Sequence, residues 1–186
     1  ADVGTRGYIA QQNRLGKKVV LAGCGALSKG QELFEKGAVF GVLGHSEREN
    51  IQSLLLRPTP FFEAGDLTSI DQKIVSEYEG KTKAFVKIQE GCDFRCSYCI
   101  IPLVRGNARS QEEELILSQV KTLAKNGYGE VVLTGTNIGS YGKDKGSSLG
   151  RLVGKIGAVS GIRRVRLGSI EPVQIDASFR EILGEP

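Results

Sequence analysis

Three of the four cysteines fall within eight residues: Cys92, Cys96 and Cys99, in the run GCDFRCSYCIIPLVRG. Three thiolates at this spacing crowd the tip of a short loop and can wrap one face of an iron–sulfur cube. Bacterial ferredoxin runs fill all four irons of a [4Fe–4S] cube with cysteine. Here the local set stops at three, so one iron is left for another ligand, and an open coordination position is a place for chemistry rather than electron storage alone. Structural zinc is the rival reading, but zinc then holds four protein ligands. The only histidine, His45, is remote in the sequence, beside Ser46 and Glu47, and reads as a surface or cap-region residue. Cys24 also stands apart, which argues against a disulfide framework and for metal binding in a reducing compartment.

The residues around the cysteines have readable roles. Asp93 and Arg95 are polar loop residues. Tyr98 places an aromatic ring beside the third cysteine, either to pack on an adenine or shield a metal, or simply to cover a sheet edge. Arg105 and Arg109 follow the loop and are suited to holding carboxylate or phosphate; the plainer reading is a solvated basic face paired with the acidic run at Glu112, Glu113 and Glu114. Arg163, Arg164 and Arg166 form a second basic group, and Lys17 and Lys18 a third. The formal charge of +4 is mild and does not by itself establish a nucleic-acid partner.

The elements that position these residues alternate strand and helix. KKVVLAG (17–23) reads as a buried strand ending at Cys24, LSKGQELFEKG as a short helix and AVFGVLG as a second strand. HSERENIQSLL reads as one further helix, with Ser46 as cap and Glu49 three residues on. Residues 1–56 thus read as the C-terminal half of a small parallel α/β domain. The chain starts as if in a helix-to-strand passage and stops just after a helical stretch, so both ends look cut. Residues 57–80, with Pro58, Pro60, Gly65 and Gly80, read as a linker in which FFEAG forms a short strand or a packed arm.

A second alternating unit occupies 81–186. KAFVKIQ is a strand leading into the cysteine loop. Residues 111–126 form an amphipathic helix, with Ser110 as cap, Glu113 completing a capping box and Gly127 as stop. EVVLTG is the next strand, NIGSYGKDKGSS a glycine-rich loop and LGRLVGKIGAV a helix. IRRVRLGS is a third strand and VQIDASFREIL a third helix. This is half of a β/α barrel or part of an open sheet, and in both the active groups belong at the C-terminal ends of the strands. With 186 residues, 40% hydrophobic and 25% charged, the composition is ordinary for a globular protein. No apolar run is long enough to span a membrane and no start resembles a signal peptide, so the expected location is cytoplasmic.

CDFRCSYC matches the CxxxCxxC loop of the radical S-adenosylmethionine enzymes, and the β/α setting is similar to their partial barrel. The resemblance implies that Cys92, Cys96 and Cys99 hold a [4Fe–4S] cluster whose fourth iron takes the amino and carboxylate groups of S-adenosylmethionine. One electron then cleaves that cofactor to methionine and a 5′-deoxyadenosyl radical. CIIP-x2-RG, the RS at 109–110 and VVLAGCGA around Cys24 resemble the methylthiotransferase branch. There, three further cysteines of the N-terminal domain bind a second cluster that supplies or relays sulfur. Cys24 corresponds to the third of these; composition alone makes it a buried small hydrophobe.

Within the branch, LTGTNIGSYG and RVRLGSIEP look most like the enzyme that modifies threonylcarbamoyl-adenosine at tRNA position 37. The resemblance implies a bound cofactor near Thr134, Gly135 and Asn137, and near Ser169 and Glu171; ordinary strand-end turn chemistry is the alternative. It also implies the tRNA anticodon loop and a reductant protein as partners. The rivals are a methylthiotransferase acting on a ribosomal-protein aspartate and a non-catalytic iron–sulfur protein for electron transfer or sensing.

Overall fold

The structure is a computed structural model that describes residues 3–70, 75–78, 80, 82–168 and 170–184. The chain forms two compact units, one of residues 1–69 with 98–106 and one of residues 70–97 with 107–186.

In the first unit, helix α1 (Val3–Arg14) leads to strand β1 (Val20–Ala22), helix α2 (Cys24–Glu35) and strand β2 (Gly41–Leu43). Strand β3 (Phe61–Glu63) completes a parallel sheet in the order β1-β2-β3. FFEAG therefore takes its strand alternative, within the span read as linker. The central strand β2 is buried at every position, as a parallel strand covered on both faces should be. Ala26 and Leu33 of α2 pack on Leu21, Val39 and Val42, with Ile9 of α1 in the same cluster. The single helix expected over 45–55 is instead a short 3-10 helix (Ser46–Asn50) followed by α3 (Ile51–Leu55). The Ser46 hydroxyl does not cap it: that oxygen accepts the Asp66 N–H at 3.0 Å and donates to Glu47 at 3.2 Å. His45 takes the cap position.

In the second unit, β4 (Ala84–Glu90), β6 (Glu130–Gly135) and β7 (Arg164–Leu167) are parallel neighbours in chain order. The two-residue β5 (Arg109–Ser110) runs antiparallel on the outer side of β4, giving the order β5-β4-β6-β7. Between β4 and β5 the chain contributes α4 (Ile101–Arg105) to the first unit, where it packs on α2. Helices α5 (Glu113–Lys125) and α6 (Leu149–Gly157) follow β5 and β6, and α7 (Ala177–Leu183) follows β7. This is the expected mixed α/β class with parallel sheets. The core joins Val86, Ile88, Val131 and Leu133 of the sheet to Val120, Leu123, Leu152 and Ile156 of the helices. Each such side chain contributes about 1.5–3 kcal/mol by leaving water. Gln119 and Asn126 of α5 donate to the carbonyls of Val75 (3.2 Å) and Ser76 (2.8 Å), so part of the span read as linker is pinned to this unit.

Two helix starts differ from expectation. Helix α5 begins at Glu113 with Glu112 in the cap position and no side-chain cap; Ser110 lies before it in β5, where its hydroxyl donates to Asp144 at 2.5 Å and accepts the Gly142 N–H at 2.8 Å. The helix expected over 173–183 is divided into a one-turn helix (Pro172–Gln174) and α7, because the Asp176 carboxylate accepts the Phe179 N–H at 2.9 Å and starts a new helix there. No described helix is long and apolar enough to cross a membrane.

Candidate functional site

Strand β4 alternates buried and half-buried residues up to Ile88, then buries Gln89 and Glu90 as well. Gln89 is 0% exposed. Its amide nitrogen donates to the carbonyls of Glu90 (2.8 Å) and Gly91 (2.7 Å), and its amide oxygen accepts the Asn137 N–H at 2.7 Å. Gly91 then turns the chain with φ 75°, a value that disfavours side chains with a Cβ. No regular element intervenes before α4, so the strand end delivers Cys92 and an irregular loop behind it. Asp93 and Arg95 fasten that loop. The Asp93 carboxylate accepts the Ala108 N–H at 2.9 Å. The Arg95 guanidinium donates to the Cys92 carbonyl at 3.0 Å and to Asn107 Oδ1 at 2.6 Å.

All four cysteines are free. Cys92 and Cys99 are half-buried and Cys96 is exposed. Cys92 and Cys96 belong to the second unit, Tyr98 and Cys99 to the first. Tyr98 is 89% exposed, so it does not cover a sheet edge and its ring is open to a ligand. Among the described residues, no three His, Cys, Asp or Glu side chains are grouped so as to hold a single metal ion. A cube makes a different demand, since each thiolate binds its own iron at a separate corner. Three free thiols at this spacing, on a loop leaving a parallel strand and with an N–H donor on one sulfur, fit it by donor type. That donor is Asn137 Nδ2, 3.5 Å from Cys92 Sγ.

The other expected contacts gather at neighbouring strand ends. Thr134 is half-buried and its hydroxyl lies 3.4 Å from the Val86 carbonyl. Gly135 ends β6 so close to β4 that a Cβ there would stand 2.8 Å from the Gln89 carbonyl oxygen. Asn137 is buried. Glu171 is exposed, and its peptide N–H rests on Gln174 Oε1 at 3.3 Å; Gln174 in turn donates to Ser140 at 3.4 Å. Ser169 lies outside the described residues. Gln89 thus ties Cys92's loop to Gly135 and Asn137, and Gln174 ties Glu171 to the turn after Asn137.

Sequence reasoning missed Gln89 and Glu90. Glu90 is 3% exposed, with Lys87 at 2.6 Å and Arg109 at 3.9 Å. The signal was two polar residues in succession closing the strand after Ile88, where alternation would allow only one of them to leave the core. Arg109 therefore pairs with Glu90, while Glu112 and Glu113 pair with Lys145 and Lys155. Tyr141, beside this region, is buried, and burial pushes its phenol well above the ordinary range, with Glu113, Glu112 and Asp144 adding to the effect. Arg164 and Arg166 are exposed on one face of β7 and share Glu130, at 3.2 and 3.4 Å.

Cys24 is built by a similar device. Gly23, at φ 75°, turns the chain out of β1, and Cys24 is the first residue of α2. Within the same unit, Arg105 Nε donates to Cys24 Sγ at 3.2 Å. The arginine expected to hold a carboxylate or phosphate sits at a sulfur.

Residues 86–174, which include the free thiols following β4, match the Radical SAM superfamily. The chain is 52% identical, over 100% of its own length and 45% of the relative's, to a Helicobacter pylori protein provisionally named a methylthiotransferase. It is 33% identical to an Aquifex aeolicus threonylcarbamoyladenosine tRNA methylthiotransferase, over 98% of this chain and 47% of that one. It is 35% identical to a Campylobacter hominis tRNA-2-methylthio-N(6)-dimethylallyladenosine synthase, over 90% of this chain and 40% of that one. The chain belongs to the methylthiotransferase family of the radical SAM superfamily. That family implies S-adenosylmethionine and a [4Fe–4S] cluster. The chain spans less than half the length of the curated relatives it matches.

Proposed function

We propose that this chain is part of a radical S-adenosylmethionine methylthiotransferase that converts N6-threonylcarbamoyladenosine at tRNA position 37 to its 2-methylthio derivative. The observation that carries this reading is the free-thiol loop of Cys92, Cys96 and Cys99 at the C-terminal end of β4. The three cysteines each give one thiolate to a [4Fe–4S] cluster, which when bound supplies single-electron chemistry to a sulfonium cofactor at its open iron. Tyr98 offers its exposed ring to the adenine, and Thr134, Gly135, Asn137, Ser169 and Glu171 border the cofactor. Cys24 is a ligand of a second cluster, with Arg105 supplying positive charge to its sulfur. Arg164 and Arg166 present outward cations suited to an RNA backbone. The partners are the tRNA anticodon loop and a reductant protein, and the setting is the reducing cytoplasm.

The segments LTGTNIGSYG and RVRLGSIEP and the Aquifex aeolicus relative support the threonylcarbamoyl substrate. The Campylobacter hominis relative, at 35% identity, favours a second reading in which the base is dimethylallyl-adenosine. Mass analysis of tRNA nucleosides from cells lacking the gene decides between them. Loss of the 2-methylthio group from threonylcarbamoyl-adenosine alone is the expected result, and its loss from dimethylallyl-adenosine instead would transfer the assignment.

A further inference from the structure

We infer that Asn137 and Gln89 act as a pair that sets the electronic environment of Cys92: Asn137 donates an N–H···S hydrogen bond to the thiolate, and Gln89 holds Asn137 in place to do so. The inference rests on the proposed cluster at Cys92, Cys96 and Cys99, and it gives Asn137 a task apart from bordering the cofactor.

The orientation of Gln89 follows from its partners. Two of them, the carbonyls of Glu90 and Gly91, can only accept, and the third, the Asn137 N–H, can only donate. The amide therefore has one satisfying orientation, with nitrogen toward the carbonyls and oxygen toward Asn137. A fully buried amide with three partners is costly to remove, because each partner then loses a buried hydrogen bond. The two carbonyls immediately precede Cys92, so the same side chain fixes the backbone entering the thiol and the backbone of the residue facing it. Asn137 is itself buried, and its side-chain nitrogen lies 3.5 Å from Cys92 Sγ. A thiolate can only accept, so the amide donates. Gly135 keeps this geometry accessible, since a Cβ there would press on both the carbonyl and the side-chain oxygen of Gln89, at 2.8 and 3.0 Å.

Hydrogen bonds to cluster sulfurs are one of the levers that set reduction potential. The reduced cluster carries one more negative charge, so a donor at sulfur stabilises it more than the oxidised form, and removing the donor makes reduction harder. Gln89 is on this account a positioning residue, acting through Asn137 and the Cys92 backbone.

The test is an EPR-monitored redox titration of the anaerobically reconstituted full-length protein in a Cys24→Ala background, so that the cluster of Cys92, Cys96 and Cys99 titrates alone. Iron per chain is measured in every sample. Asn137→Ala should keep its iron and shift the midpoint to more negative potential. At a fixed potential the reduced-to-oxidised ratio should fall about fivefold, the worth of one hydrogen bond of ordinary net strength. Asn137→Ser, a shorter side chain that still carries a donor, keeps the question open if the alanine variant does not fold, and should lie between. Gln89→Met, similar in volume but without the amide, should move the midpoint the same way and broaden the EPR signal as Asn137 loses its fixed position. Iron-loaded Asn137 variants with an unchanged midpoint would overturn this inference and leave the cluster reading standing. A parent protein that takes up no iron would overturn the cluster reading and the inference with it.

Discussion

Two strand ends in this chain deliver cysteine by the same local device and then diverge. β1 and β4 are both parallel strands followed by a glycine at φ 75°, Gly23 and Gly91, and then by Cys24 and Cys92. Each sulfur has a nitrogen donor from a distant part of the chain, the charged Arg105 at Cys24 and the neutral Asn137 at Cys92. A helix of 12 residues begins at Cys24 itself, so this strand end delivers a single thiol. After Cys92 no regular element intervenes before Ile101, and two further thiols share the loop. The strand and the glycine therefore place a cysteine at the strand's C-terminal end, while the structure that follows decides how many thiols arrive there. A helix commits the chain to one sulfur and a loop leaves room for a set.

The largest effects should separate the two ends by chemistry. Alanine at Cys92, Cys96 or Cys99 should abolish cleavage of S-adenosylmethionine altogether. Cys24→Ala should leave that cleavage intact and remove sulfur insertion. Product analysis for 5′-deoxyadenosine and for 2-methylthio nucleosides checks both, and methylthiolation that survives Cys24→Ala would end the comparison.

Stability comes next. Leu133 and Leu43 are buried in the cores behind the two ends, at 0% and 2% exposure. Either one to alanine should cost about 2–5 kcal/mol, from lost burial and the cavity left behind. Denaturant titration measures the cost, and a value within about 0.5 kcal/mol, typical of a surface change, would mean that the side chain is not part of the core.

A smaller effect distinguishes the donors. Arg105→Gln keeps a hydrogen-bonding group but removes the charge at Cys24. Methylthiolation should fall about tenfold, the scale of a hydrogen bond to a charged group, with cleavage of S-adenosylmethionine unchanged. A parallel fall in both products would show that Arg105 serves the whole fold instead.

The smallest effect is one of acid on the first unit alone. The Asp66 carboxylate accepts the N–H groups of Ser69 and Thr68, which hold its pKa down from the ordinary 3.8 to about 2. A depressed carboxyl contributes stability that is present above pH 3.8 and is lost as the pH falls through about 2. Asp66→Asn should therefore weaken the pH dependence of unfolding only in that acid window, and only slightly, because the group is exposed. An NMR titration placing the Asp66 carboxyl at its ordinary value would remove the effect.

The alternation of strands and helices was legible because apolar runs at 17–23, 83–89 and 130–135 are bounded by glycine and charge. Helix starts were harder to read. Ser46 and Ser110 have the residue type of a cap, but each hydroxyl is engaged by a partner distant in sequence, Asp66 and Asp144, which no local pattern announces. The proposed cluster ligands stand out in the sequence, since cysteine spacing is local. Their bracing does not, because Gln89 acts through Asn137, 48 residues away, and Arg105 reaches Cys24 across 81. Local sequence carries the chemistry of the thiols, and the contacts that hold them are set by tertiary structure.

The most direct test of the central claim is to reconstitute the full-length protein anaerobically, reduce it in the presence of S-adenosylmethionine, and measure 5′-deoxyadenosine by mass spectrometry beside the Cys96→Ala variant. The parent protein should yield 5′-deoxyadenosine and the variant none. An iron-loaded parent that yields no 5′-deoxyadenosine, or a variant that yields as much as the parent, would contradict that claim.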